Sequence, residues 1–236
     1  MIRKLRFSVL VDDYLSERGA RRGALPVHGL GVHLECVMED GKKASVLVDG
    51  GPLLEVLQHN AEVLGANLSA VHAFIATMWS AHHVAALLEF TRSSDASKLY
   101  LPPLPKQRPV GWQALPHLGA LLLPLKSPVY NERLVLLRVG SGYVAVLPCS
   151  VYGVDVALSA LKAFEEAEGV PITALIGGFN IATFDAYDMR ILLKYAAGRK
   201  ALVIPLHSTS LEAREEICKR MGLEEVPGTG SRFTLE

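Results

Sequence analysis

Hydrophobic and polar positions alternate along several short stretches of the chain, and turn-forming residues separate these stretches. Alternation with a period of two predicts strands, whereas apolar positions three and four residues apart predict helices. We therefore predict strands at residues 7–12, 31–38, 44–48, 71–76, 120–123, 133–139, 143–147, 172–176, 201–205 and 231–235. Helices are predicted at residues 53–64, 82–90, 154–168, 186–197 and 211–221.

The order of these elements is repeated along the chain. A strand-rich first half ends in a strand, a loop and a helix, and the second half follows the same order. Residues 101–128 carry seven prolines, and we predict a long ordered connection there. This layout predicts an α/β fold in which helices lie outside two packed sheets, formed by one domain spanning residues 1–236.

Composition narrows the class of protein. The chain has 24 Lys and Arg residues and 24 Asp and Glu residues. Because basic residues are not in excess, the net charge does not indicate nucleic-acid binding. No apolar run is long enough for a signal peptide or a membrane span. The three cysteines are far apart, which is typical of a reducing cytosol, and we expect a cytoplasmic protein. Only four Asn and three Gln are present, and this depletion is typical of thermophile proteins.

Several short motifs follow the predicted strands in a fixed order. They are L-V-D-G-G at 47–51, N-A-E-V-L-G at 60–65, M-W-S-A-H-H at 78–83, P-C-S-V-Y-G at 148–153, G-G-F-N at 177–180 and P-L-H-S-T at 205–209. In this order and spacing the chain resembles the metallo-β-lactamase superfamily, in particular an archaeal and bacterial branch that includes dihydropteroate-synthase-like enzymes. The resemblance covers nearly the whole chain. It implies a four-layer αββα sandwich with two mixed sheets.

The resemblance also implies a two-metal hydrolase site, of which this sequence keeps only part. The positions that resemble the family's first metal site hold Met78, Ser80 and Val151, which are poor ligands for a divalent ion. Those that resemble the second site hold His82, His83 and His207. Three histidines and a water are a sound catalytic arrangement, so we expect one divalent ion, Zn, Mn or Fe.

Other positions in these loops have expected roles. The resemblance implies that Asp49 organises the metal loops, although an Asp there can also form a turn and cap the next helix. We expect Asn180 and Trp79 to contact substrate, while Trp79 can equally fill the core. Cys149 is either a buried inert thiol or a nucleophile. To act as a nucleophile, its thiol needs a lowered pKa and a nearby base.

The functional expectation is a divergent hydrolase in which water activated at His82, His83 and His207 attacks an ester, phosphoester or amide of a small molecule. The alternative is a non-catalytic, metal-free relic of the fold that binds a small molecule or a partner protein. A metal-free enzyme using Cys149 or Asn180 is a third hypothesis. The mean hydropathy of +0.27 suits a subunit interface, so a homo-oligomer is also expected. No membrane or nucleic-acid partner is expected.

Overall fold

The computed structural model describes residues 1–92, 98–104, 107, 111–125, 131–181 and 186–236. The strands are β1 (Ile2–Val11), β2 (Gly31–Met38), β3 (Lys43–Val48), β4 (Ala73–Ile75), β5 (Leu99–Tyr100), β6 (Gln113–Leu115), β7 (Ala120–Pro124), β8 (Arg133–Val139), β9 (Gly142–Leu147), β10 (Ile172–Gly178), β11 (Leu202–Leu206) and β12 (Arg232–Leu235). The helices are α1 (Glu17–Arg22), α2 (Leu54–Leu64), α3 (Ala81–Arg92), α4 (Val154–Glu168), α5 (Ala186–Arg199) and α6 (Leu211–Met221).

All the strands and helices predicted from periodicity are confirmed, with boundaries that mostly differ by one or two residues. Three short elements were not predicted, namely α1, β5 and β6, and β1 begins five residues before the predicted position 7. The described part of the predicted connection 101–128 contains β6 and β7. Its residues 105–106, 108–110 and 126–128 lie outside the described part of the chain.

The strands form two halves with matching organisation. In the first half β1, β2 and β3 are antiparallel neighbours, and β4 and β5 continue in parallel from β3. In the second half β7, β8 and β9 are antiparallel, and β10 and β11 continue in parallel. One parallel pair, Ile2 with Val139, joins β1 to β8. Both halves are therefore mixed sheets, as expected.

Side-chain alternation in β8 shows how the layers pack. Val135, Leu137 and Val139 point into a buried cluster shared with strands of the other half, while Leu134 and Leu136 point into a cluster with α4, α5 and α6. The first half has the same arrangement, because its outer face packs against α2 and α3. Helices thus cover the outer faces of two sheets that pack face to face. The α/β four-layer αββα sandwich is confirmed.

The loops that follow the strands carry the polar residues of interest. Asp12 and Asp13 follow β1, Asp49 follows β3, Cys149 follows β9, and His207 follows β11. Because the buried strands fix where each loop begins, these side chains have defined positions at one end of the sandwich. Within the described residues, no helix is both long and apolar enough to cross a membrane.

Candidate metal centre

Four histidine rings lie together where the loops of the two sheets meet. The ring centroids of His82 and His83 are 4.7 Å apart, and that of His207 lies 5.2 Å from His82 and 5.0 Å from His83. His28, which the sequence did not single out, lies 4.9 Å from both His82 and His207. The structure therefore brings the three predicted ligands to one place and adds a fourth imidazole.

His83 is the most deeply buried of these rings. Its side chain is 0% exposed, and its Nδ1 donates to Asp49 Oδ2 at 2.8 Å. Asp49 is itself fixed, because it also accepts from the backbone N (2.8 Å) and hydroxyl (2.6 Å) of Thr77. Burial alone lowers the pKa of His83, but the Asp49 carboxylate outweighs it, and the net shift is upward. Within the described residues, His83 Nε2 has no hydrogen-bond partner.

His207 is held by two aspartates at the end of β1. Its backbone N donates to Asp12 Oδ2 at 2.6 Å, and its Nδ1 donates to Asp13 Oδ1 at 3.1 Å. Burial lowers the pKa of His207, but the interactions with Asp13 and Cys149 outweigh burial and raise it to about 9. The buried Arg214 side chain donates to the carbonyl of His207 and pairs with Asp12, which fixes the backbone of this turn.

Cys149 lies in the loop between β9 and α4, close to His83 and His207. Burial raises the pKa of this thiol, but the two imidazoles outweigh burial and lower it to about 7. By contrast, burial raises the pKa of Cys36 to about 12 and that of Cys218 to about 11. Cys149 therefore differs from the other two cysteines in having two imidazoles beside it, and both expectations for it, an inert thiol or a nucleophile, stay predictions.

Two sets of metal-binding atoms are present in this cluster, and they share His207. In the inner set, one ligand atom each from His83, Cys149 and His207 lie within 4.8 Å of one another. In the outer set the same holds for His28, His82 and His207. The predicted ligands His82, His83 and His207 are thus divided between the two sets.

The outer histidines already have polar neighbours. His82 Nδ1 lies 2.9 Å from the hydroxyl of Ser80, and His28 Nδ1 pairs with Asp13 at 3.2 Å. Partial burial, together with the neighbouring His83 and His207 rings, lowers the pKa of His82 to about 4. At neutral pH His82 is therefore an uncharged imidazole.

The positions that resemble the family's first metal site hold no ligand set. Met78 is 2% exposed and belongs to the buried apolar residues. Ser80 bonds to His82, and the backbone N of Val151 donates to Glu132. A buried thioether and a valine are poor ligands for a hard or borderline ion, and the expectation of one metal ion rather than two stays a prediction.

Trp79 and Asn180 lie in the neighbouring loops. Trp79 Nε1 donates to the carbonyls of Pro102 and Pro103, so its polar atom is used within the protein. Asn180 is exposed, and its backbone N donates to the hydroxyl of Ser208. Contact of either residue with substrate stays a prediction.

Backbone strain is concentrated in these loops. Among the described non-glycine residues, five have positive φ angles: Asp49, Ser150, Asn180, Lys200 and His207. All but Lys200 follow strands whose loops form the site. Such conformations cost on the order of 1–3 kcal/mol for residues other than Gly, Asn and Asp, and they persist only where surrounding bonds impose them.

The comparison with solved structures agrees with this architecture. A crystal structure of a metal-dependent hydrolase of the β-lactamase superfamily matches with a TM-score of 0.67 and 18% identity, covering 98% of each chain. The chain has the metallo-β-lactamase fold. A quorum-quenching N-acyl homoserine lactone lactonase matches at a TM-score of 0.45 and 16% identity, covering 79% of this chain and 95% of that chain. The metallo-β-lactamase MIM-1 from Novosphingobium pentaromativorans matches at 0.40 and 12%, covering 73% and 88%.

No protein-family model matches the chain, and no curated protein matches it in sequence. Membership of the dihydropteroate-synthase-like branch therefore stays a prediction. Within the metallo-β-lactamase fold, the sequence motifs located Asp49, His83 and His207, but they did not reveal the surrounding residues Asp12, Asp13, Glu132 and Arg214. The Asp-Asp pair at the end of a predicted strand was the one available signal for part of this set.

Proposed function

We propose that this chain is a divergent hydrolase that uses one divalent metal ion held around His83 and His207. The observation that carries the proposal is His83 Nε2, a fully buried ring nitrogen with no hydrogen-bond partner among the described residues. Leaving such an atom unpaired costs about 1–3 kcal/mol, and native proteins rarely tolerate it without a reason. A metal ion at this position satisfies it.

The carboxylates behind the two rings support the same proposal. Asp49 accepts a hydrogen bond from Nδ1–H of His83, and Asp13 accepts one from Nδ1–H of His207. In each ring the other nitrogen, Nε2, is then the atom left to bind a metal ion, and for His207, whose pKa is raised to about 9, the ion takes the place of a proton there. This is the arrangement in which a carboxylate orients a histidine ligand toward a metal. The alternative of a metal-free relic does not explain why two rings are oriented in this way.

When bound, a divalent ion supplies Lewis-acid polarisation of the substrate and a lowered pKa for water. The remaining steps belong to the chain itself. His82 and His28 lie beside His207 on the more exposed side of the cluster. They can donate hydrogen bonds to an ester, phosphoester or amide placed there. His82 can do so as a neutral group, since burial and the neighbouring rings hold its pKa at about 4.

Metal content tests the proposal directly. Untagged protein, purified without added metal and then exposed to Zn²⁺, Mn²⁺ or Fe²⁺, is analysed by plasma mass spectrometry. We expect about one divalent ion per chain, and loss of that ion in His83→Ala. His117→Ala is the matched control, because His117 is exposed and belongs to neither set of ligand atoms.

Activity is measured second, on ester, phosphoester and amide substrates, with the parent and both variants. Hydrolysis by the parent and His117→Ala, lost in His83→Ala, supports a metal-dependent hydrolase. A parent chain that takes up none of the three ions refutes the proposal. The search then turns to small-molecule ligands and protein partners.

A further inference from the structure

We infer that the sulfur of Cys149, and not the imidazole of His82, is the third protein ligand of the ion held by His83 and His207. The inference rests on the proposed one-metal site and names its donor set. It replaces the all-histidine set expected from the sequence with one thiolate and two imidazoles.

The position of Cys149 is fixed on both sides. The Glu132 carboxylate accepts from the backbone N of Cys149 at 3.0 Å, of Ser150 at 2.6 Å and of Val151 at 3.1 Å. On the other side, the Ser208 hydroxyl donates to the Cys149 carbonyl at 2.7 Å. Ser208 directly follows His207, so this bond ties the two ligand loops together. The sulfur is therefore held beside His83 and His207 before any ion arrives, which is what a metal ligand requires.

Competition for His207 decides between the inner and outer sets. His207 Nδ1 is engaged by Asp13, so one ring nitrogen is left for a metal ion, and it can serve only one set. In the outer set, both ring nitrogens of His82 lie near the Ser80 hydroxyl, at 2.9 Å and 3.3 Å, so this ring is oriented by a hydroxyl and not by a carboxylate. The outer rings are also more exposed, so water can reach them.

The inner set differs in its burial and in holding an unpaired nitrogen. His83 is completely buried, and its Nε2 has no protein hydrogen-bond partner within the described residues. The ligand atoms of Cys149 and His207 lie within 4.8 Å of that of His83. An ion placed among these three atoms removes the unpaired nitrogen, whereas an ion in the outer set leaves it unpaired. The geometry therefore favours the inner set.

The donor chemistry then predicts which metals bind. A thiolate is a soft ligand that suits Zn²⁺ and Co²⁺, whereas Mn²⁺ and Mg²⁺ prefer carboxylate and carbonyl oxygens. One thiolate and two imidazoles leave the fourth position of a tetrahedral ion open, as catalytic zinc sites do. We expect the chain to select Zn²⁺ over Mn²⁺ when both are offered at equal concentration. His82 and His28 remain available for the substrate.

Cobalt spectroscopy on the parent chain tests the inference without any substitution. Co²⁺ bound through a thiolate gives an intense sulfur-to-cobalt charge-transfer absorption in the near ultraviolet, which nitrogen ligands alone do not give. We expect this absorption in the parent and in His82→Ala, and its loss in Cys149→Ser. Cys218→Ser is the matched control, since Cys218 lies on α6, outside both sets of ligand atoms.

Zinc competition with a chromophoric chelator gives the second measurement. Loss of an outer-shell partner weakens metal binding about 10–100-fold, so loss of a ligand should weaken it by at least about 100-fold. We expect this loss in Cys149→Ser and a much smaller change in His82→Ala. Circular dichroism of both metal-free variants shows whether they are folded.

The outcomes separate the two proposals. A parent that binds neither Zn²⁺ nor Co²⁺ refutes the proposed one-metal function itself. A parent that binds Co²⁺ without the sulfur absorption, and that loses Zn²⁺ in His82→Ala, overturns only the role of Cys149. In that case the ion is held by histidines and the proposed function stands.

Discussion

Replacing the buried Arg214 with Met should destabilise the protein strongly, although this residue contacts no predicted ligand ring. Its side chain is 0% exposed, and all five guanidinium N–H groups are used. Two donate to the carboxylate of Asp12, and the others donate to the carbonyls of Thr209, Pro227 and His207. Arg214 therefore links the end of β1, the turn of His207 and the loop before β12.

The expected magnitude follows from what the substitution leaves behind. Met fills a similar volume but donates no hydrogen bond, so the Asp12 carboxylate stays buried without its cation. Removing one partner of a buried ion pair costs about 3–5 kcal/mol. For a chain of this size, each kcal/mol lowers the melting temperature by about 2–4 °C, so the fall should be about 6–20 °C.

Chemical denaturation followed by circular dichroism measures the free energy of unfolding, and thermal scans give the melting temperature. Arg220→Met is the matched control, because Arg220 lies on the same helix and pairs with Glu216 at the surface. An exposed pair of this kind contributes about 0.2–1 kcal/mol. Equal losses in Arg214→Met and Arg220→Met would show that the buried pair does not hold these loops together.

Two further predictions concern the ligands themselves. Asp49→Asn should weaken Zn²⁺ binding about 10–100-fold, because an amide has one acceptor oxygen where the carboxylate serves both a threonine and the buried imidazole. A chelator competition assay measures the Zn²⁺ affinity, and Asp40→Asn, in an exposed turn, is the control. Equal Zn²⁺ affinities of Asp49→Asn and the parent would exclude a role for Asp49 in orienting the ring. In metal-free protein, alkylation of Cys149 by iodoacetamide should rise with pH around a midpoint of about 7, because its thiolate forms there. A midpoint near the ordinary thiol value, found by mass spectrometry of the modified peptide, would contradict the lowered pKa.

The fold could be predicted because its strands and helices each repeat a simple pattern. In β8 and β9 every position is buried or nearly so, and Gly140 and Gly142 mark the turn between the two strands. The start of β1 was missed for a physical reason. The register shifts between Ile2 and Lys4, and this irregularity interrupts the alternation that a sequence pattern can detect. The two-residue strand β5 is too short to show any period.

The candidate site could be predicted only in part. Motifs placed His83, His207 and Asp49 at strand ends, and the structure brings these residues together. A motif cannot show which atoms of neighbouring loops point at one another. Cys149 lies in the loop after β9 and His82 in the first turn of α3, and only the direction of their side chains separates the inner set of ligand atoms from the outer one. The pair of Asp12 with Arg214 joins residues 202 positions apart and leaves no local signal.

Three buried carboxylates support the proposal that the inner set of ligand atoms serves chemistry rather than packing. Asp49 orients the ring of His83, Asp12 holds the backbone of His207, and Glu132 holds the loop of Cys149. Each of these carboxylates is at most 1% exposed. Burying an ionised carboxylate costs several kcal/mol before its partners offset that cost. Where no function depends on the charge, replacing the carboxylate and its partners with apolar residues can therefore leave the protein equally stable or more stable.

In a relic, substitutions that remove such carboxylates are therefore expected to accumulate. The positions that resemble the family's first metal site hold the apolar residues Met78 and Val151. Buried carboxylates support His83, His207 and Cys149 instead. Apolar side chains at one set of positions and supported polar side chains at the other are what the proposed binding of a single metal ion predicts.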